Sequence, residues 1–180
     1  MTALLAQGYI AERATWPVDR GVFHPDYHYE VTAYDSRIYV QSVDGTVMDD
    51  QPLTDEVRYL KICGPWLLVL KKPGIMSVIG LTPGGFGEPL KGAERIRMEC
   101  GNTFRDAFIS KDGTMLFAAV SNQVLCISIR DGKATSLESI GFPYAVEAIE
   151  PIYKGKRNIF VGFTVRTISD FYVYTLENDE

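Results

Sequence analysis

A single pattern recurs four times along this chain, and few folds accept it: a strand-like run, a tight turn, a strongly apolar strand, a second turn and a further strand. The apolar centres are RIYVQSV (Arg37 to Val43), PWLLVL (Pro65 to Leu70), TMLFAAV (Thr114 to Val120) and NIFVGFTV (Asn158 to Val165). Their starts lie 28, 49 and 44 residues apart. The runs before them read YHYEVTAY, EVRYLKIC, TFRDAFIS and YAVEAIEPIY, each joined to its centre by a short turn: DS, GP, KDG and KGK. After the centres come Asp44-Gly45, Pro73-Gly74, Ser121-Asn122 and a turn near Thr167 to Asp170, then GTVMDD, IMSVIGL, QVLCISI and FYVYTL. Such runs of Val, Ile, Phe and Tyr predict hairpins. Gly and Asn-like residues take positive φ cheaply at the corners, and branched side chains pack well on a pleated face.

The chain has 180 residues, enough to bury a sizeable core as one domain. Its apolar fraction is 46% and its charged fraction 23%, so a folded core is expected. The near-apolar stretch Trp66 to Leu70 is too short to span a bilayer, and MTALLAQGYIAER lacks the leading positive charge of a secretory signal. No membrane association is therefore expected. A net charge of −5 disfavours phosphate backbones, so nucleic acid is not an expected partner. The one tight basic cluster, Lys154-Gly155-Lys156-Arg157, falls where a solvated hairpin turn is predicted. Cys63, Cys100 and Cys126 are widely spaced and odd in number, and Cys63 and Cys126 sit among Ile and Leu. That usage suits a reducing, intracellular and cytoplasmic setting, with no disulfide framework and no paired-cysteine zinc site.

The clearest unit of the pattern is FRDAFISKDGTMLFAAVSNQVLCISIRDGKATSL, from Phe104 to Leu137. A strand ends at a KDG turn, LFAAV is the buried centre, and a third strand carries alternate apolar residues. This form resembles β-propeller repeats of the WD40-like class, and the resemblance covers about residues 27 to 177. The Gly-His and Trp-Asp dipeptides of the strict repeat are absent. The resemblance implies an all-β, antiparallel, propeller-like array of about four blades; an antiparallel β-sandwich or barrel is the alternative. It divides the chain into a lead-in over residues 1–26, a β domain over 27–177 and a frayed acidic tail over 178–180. Within the lead-in, Thr2 to Arg13 reads as one amphipathic helix or as a strand. Proteins similar to these repeats often mix N- and C-terminal strands in one blade. Four blades is a lower limit for a closed ring, so either the ring is minimal or a partner completes the sheet.

The most pointed polar cluster is His24-Pro25-Asp26-Tyr27-His28-Tyr29-Glu30. Were it one extended strand, His24, Asp26, His28 and Glu30 would share a face, and His24, Asp26 and His28 are the candidate metal ligands. Pro25 argues against a paired interior strand. No nucleophile is singled out for either histidine, and the cysteines read as inert. The glycine-dense segment Thr82 to Pro89 lacks both the GK[ST] ending and the GxGxxG spacing of phosphate loops. It reads as a loop presenting Gly85 and an exposed Phe86 to a partner. Arg105 and Asp106 complete the candidate contact residues. Asp49-Asp50 and Asp55-Glu56 are adjacent pairs that point apart on a strand and read as solvated charge. No cofactor is expected. The function expected is a non-catalytic protein–protein interaction module, a scaffold or complex subunit, whose partner is another protein or a second copy. The alternative is a ligand- or metal-binding enzyme domain with a site near His24, Asp26 and His28.

Overall fold

The computed structural model describes residues 21–34, 36–98 and 103–176. The readings of Thr2 to Arg13, of Cys100 and of the tail fall outside them. The described chain is all-β and antiparallel, in four sheets, none of which closes on itself. All four apolar centres form inner strands of these sheets, and the barrel alternative is not seen. The residues group into two compact units, one ending at Met98 and the other beginning after it.

The first unit holds two sheets. One runs β1 (Val22–His24), β2 (Tyr29–Tyr34), β3 (Arg37–Ser42), β4 (Val47–Pro52). The other runs β5 (Val57–Cys63), β6 (Trp66–Lys71), β7 (Ile75–Thr82), β8 (Gly85–Pro89), with the short β9 (Ile96–Arg97) also pairing with β7. Tyr29, Val31, Ile38 and Val40 from the first sheet and Val57, Leu67, Val69 and Ile79 from the second form one buried cluster. Period two explains it: Val31 faces Val40 and Leu67 faces Ile79 across the ladders, so one face of each sheet is apolar. The sheet begins at Val22, before Tyr27, because Val22 pairs with Val31 and packs on the same cluster.

In the second unit, one sheet runs β10 (Phe104–Ile109), β11 (Met115–Val120), β12 (Gln123–Arg130), β13 (Lys133–Gly141). The other has three strands, β14 (Val146–Lys154), β15 (Ile159–Thr167) and β16 (Phe171–Thr175). Aromatic rings hold this core. Phe117 lies 4.8 Å from Phe108 and 4.8 Å from Phe163, ring centre to ring centre, and Phe163 stacks on Tyr174 at 5.4 Å.

Two turns share the sequence Ser-x-Asp-Gly-Thr, at Ser42 to Thr46 and Ser110 to Thr114. In each the glycine has positive φ, 84° at Gly45 and 74° at Gly113, which a side chain would strain. The Asp44 carboxylate accepts from the Ser42 hydroxyl and the Thr46 amide. That of Asp112 accepts from the Ser110 and Thr114 hydroxyls and the Thr114 amide. The bond from Ser42, with those from Thr46, lowers the Asp44 carboxyl from 3.8 to about 2. Burial pushes Asp112 upward, but the bonds from Ser110 and Thr114 outweigh it and the net shift is also downward. Both acids are depressed in the folded state, so their contribution is complete above the ordinary carboxylate range and is lost as pH falls through the folded values. Melting temperature between about pH 5 and about pH 2 should fall less steeply in the Asp44→Asn, Asp112→Asn double variant than in the parent. Identical slopes would show that the turns contribute nothing to acid stability.

Candidate interaction surface

The segment from His24 to Glu30 does not run as one strand. Residues 25–28 turn: the His28 amide donates to the His24 carbonyl at 3.0 Å, and His28 has φ of 55°. His24 is buried, whereas Asp26 and His28 are exposed. His24 Nδ1 accepts from the amides of Asp26 and Tyr27, both at 3.2 Å, which places the proton on Nε2 for donation to the Gly64 carbonyl at 3.1 Å. The ring also stacks on Tyr27 at 4.0 Å. Both nitrogens thus serve the turn and its tie to the β5–β6 corner. Nearby, the Tyr29 hydroxyl donates to the Thr82 carbonyl at 2.8 Å, and burial, then the neighbouring Tyr27, pushes its pKa up to about 12. No three His, Cys, Asp or Glu side chains among the described residues lie close enough together to hold a metal ion.

Gly85 and Phe86 are in β8 rather than in an exposed loop. The Phe86 amide donates to Asp49 Oδ2 at 2.9 Å, and its ring is half-buried against the first unit's core. Gly85 has φ of 138°, and a Cβ there would sit 2.6 Å from Asp49 Oδ2. The physical reason for the difference is Asp49, whose carboxylate on β4 captures the β8 backbone and ties the two sheets of this unit together. Phe86→Ala should therefore cost about 1–3 kcal/mol, less than a fully buried Phe. Denaturant unfolding checks this, and an unchanged midpoint would contradict the packing role.

Asp106 does the corresponding work in the second unit. A bulge between Phe104 and Asp106 leaves Arg105 exposed and turns Asp106 inward. Its Oδ1 accepts from the Ala107 amide and its Oδ2 from the Ile149 amide on β14, each at 2.9 Å. Burial alone raises the Cys126 thiol to about 11, which keeps it protonated and unreactive at neutral pH.

The surface that sequence reasoning missed lies on the three-stranded sheet. Tyr172 and Tyr174 of β16 turn inward, within 5.1 and 5.8 Å of the Phe142 ring. The alternate residues Phe171 and Val173 turn outward and are 65% and 58% exposed, beside Ile168 at 67% in the preceding turn. The available signal was the alternation in FYVYT: a run apolar on both faces at the end of a sheet needs two covers.

No protein-family profile and no curated protein matches the sequence. Solved structures do. The chain is similar to BBS1N in the crystal structure of BBS1N in complex with ARL6DN soaked with mercury, with a TM-score of 0.60 and 14% identity over 88% of this chain and 51% of that one. For the lead-soaked crystal the TM-score is again 0.60 and the identity 14%, over 86% and 46% of the two chains. The computationally designed Ika4 protein gives a TM-score of 0.51 and 17% identity over 83% and 86%. The chain thus spans about half the length of the two BBS1N chains. At these identities the likeness defines the fold, which is all-β and propeller-like.

Proposed function

We propose that this chain is a protein–protein interaction module acting as a subunit of a larger assembly, in an intracellular, reducing setting. The observation that carries the proposal is the pair Phe171 and Val173, large apolar residues at alternate positions of β16 that are both exposed. Exposed apolar groups on one face of a strand mark a surface that gains by being covered. The fold likeness to BBS1N, found in a crystal structure with ARL6DN, adds an analogy of architecture, and architecture alone does not fix function. The relation to WD40-like repeats stays at the level of strand pattern.

Tagged chain should retrieve one protein in stoichiometric amount from its native source. The pair, rebuilt from purified components, should give by light scattering the summed mass of both. The Phe171→Asp, Val173→Asp double variant should lose that complex while keeping its own melting temperature. A chain that forms no stoichiometric complex, or a complex indifferent to the double variant, would defeat the reading.

A further inference from the structure

One corner of the second sheet carries cations without acids to match. Along β6, Leu67, Val69 and Lys71 share the face that packs into the first unit's core, and Lys71, the last of the three, is only 6% exposed. Its neighbours across the ladders are Val57 on β5 and Ile75 on β7, and Ile75 in turn faces Arg97 on β9. Directly opposed residues of antiparallel strands project to the same side, so Val57, Lys71, Ile75 and Arg97 form a row on one face. Arg95 joins them. Ile96, between the two arginines, pairs with Met76 and is buried, so Arg95 and Arg97 project to the other side, where both are exposed. The Ser77 hydroxyl donates to the Glu94 carbonyl at 2.7 Å and holds this segment against β7. The row thus passes from buried Val57 through a buried ammonium to two arginines in solvent.

The nearby acids are engaged elsewhere. The Asp55 carboxylate accepts from the Thr54 hydroxyl at 2.7 Å, Glu56 pairs with Lys72 at 2.7 Å, and Glu94 accepts from the Gly92 amide at 2.8 Å. Among the described residues, the side chains of Lys71, Arg95 and Arg97 make no hydrogen bond or ion pair. Burial, then the Arg95 guanidinium, pulls the Lys71 ammonium below its ordinary pKa, and Asp55 acts in the opposite sense without offsetting them. A buried cation beside a second cation is costly, and an anion seated between them relieves both penalties. Three cations suit a ligand with more than one negative charge. The planar guanidinium fork matches phosphate oxygens, and a phosphate monoester carries about −1.5 to −2 at pH 7. We propose that Lys71, Arg95 and Arg97 bind a phosphate monoester. The net charge of −5 argues against a polyanion spread over the surface, not against one phosphate at a cationic corner. All three residues belong to the first unit and owe nothing to the interaction reading above.

The test is calorimetric titration of the full chain with inorganic phosphate, glycerol 3-phosphate and a neutral pentapeptide carrying one phosphoserine. One saturable site per chain is expected. Lys71→Met keeps the apolar length of the side chain and removes its charge. It should weaken binding at least about tenfold and leave the melting temperature unchanged or higher, because no charge is then buried. Phosphate should raise the melting temperature of the parent and not that of the variant. Should Lys71→Met unfold, the exposed pair Arg95→Gln, Arg97→Gln takes its place, with the same expected loss. A peptide bound more tightly than glycerol 3-phosphate assigns the phosphate to a modified protein, the reverse order to a small metabolite, and equal affinities to the phosphate group alone. Each of these supports the site. No saturable binding of any of the three, or binding unchanged in either folded variant, overturns the proposal. So does binding matched by chloride at the same ionic strength, which is screening and not recognition.

Discussion

Phe117→Asp is expected to leave no cooperatively folded protein. The Phe117 ring is 1% exposed and sits between Phe108 and Phe163, each 4.8 Å away. A carboxylate there has no donor to meet it and cannot reach water, and its removal of the ring empties the centre of the aromatic cluster. The combined cost exceeds about 4 kcal/mol, against a typical total stability of about 5–15 kcal/mol. Near-ultraviolet circular dichroism and the thermal transition should both disappear. Leu68→Asp, at a residue with 0% exposure in β6, should do the same to the first unit. Phe117→Leu is the control, and keeping the site apolar should preserve the transition at a lower temperature. A folded Phe117→Asp protein would mean that Met115–Val120 is not a buried strand.

The second large effect belongs to Gly162. It lies in β15 opposite Thr175, with φ of 157°, and a Cβ there would press into the Tyr174 carbonyl oxygen and lie 3.0 Å from the Thr175 Cα. These are backbone atoms of the next strand, so no side chain can swing aside. Gly162→Ala should cost about 2–4 kcal/mol through overpacking and an unfavourable φ together. The damage should be local: amide exchange of Tyr172 and Tyr174 should accelerate far more than that of β11. If exchange and melting temperature are both unchanged, β15 and β16 do not approach each other as described. Loss of partner binding in this variant would accompany the loss of β16.

The strands were legible because their cause is local. A run such as TMLFAAV between KDG and Ser121-Asn122 has few alternatives, and it became β11 with Leu116, Phe117, Ala118 and Ala119 buried. The sites were less legible because their cause is not local. Asp49 looked like half of a solvated pair, yet its partner is an amide 37 residues away. Asp106 and the Ile149 amide are 43 residues apart, and His24 and the Gly64 carbonyl 40. No spacing rule reveals such bonds. Phe86 was misread for a related reason: glycine density suggested a loop, whereas the glycines let the β8 backbone approach Asp49 and pair with β7. The Ser-x-Asp-Gly-Thr turns were readable in principle, since the same five-residue signature occurs twice.

Apart from β9, every strand pairs only with the strands next to it in sequence. Each ladder therefore closes over a turn of a few residues, and little loop entropy is spent before pairing is rewarded. Low sequence separation between partners favours early pairing within each sheet, while the contacts between sheets must wait for more distant residues. Hairpins can form as the chain leaves the ribosome, long before the last strand is made. β16 is the last described strand to be synthesised, so the fourth sheet is the last of the described sheets to be completed.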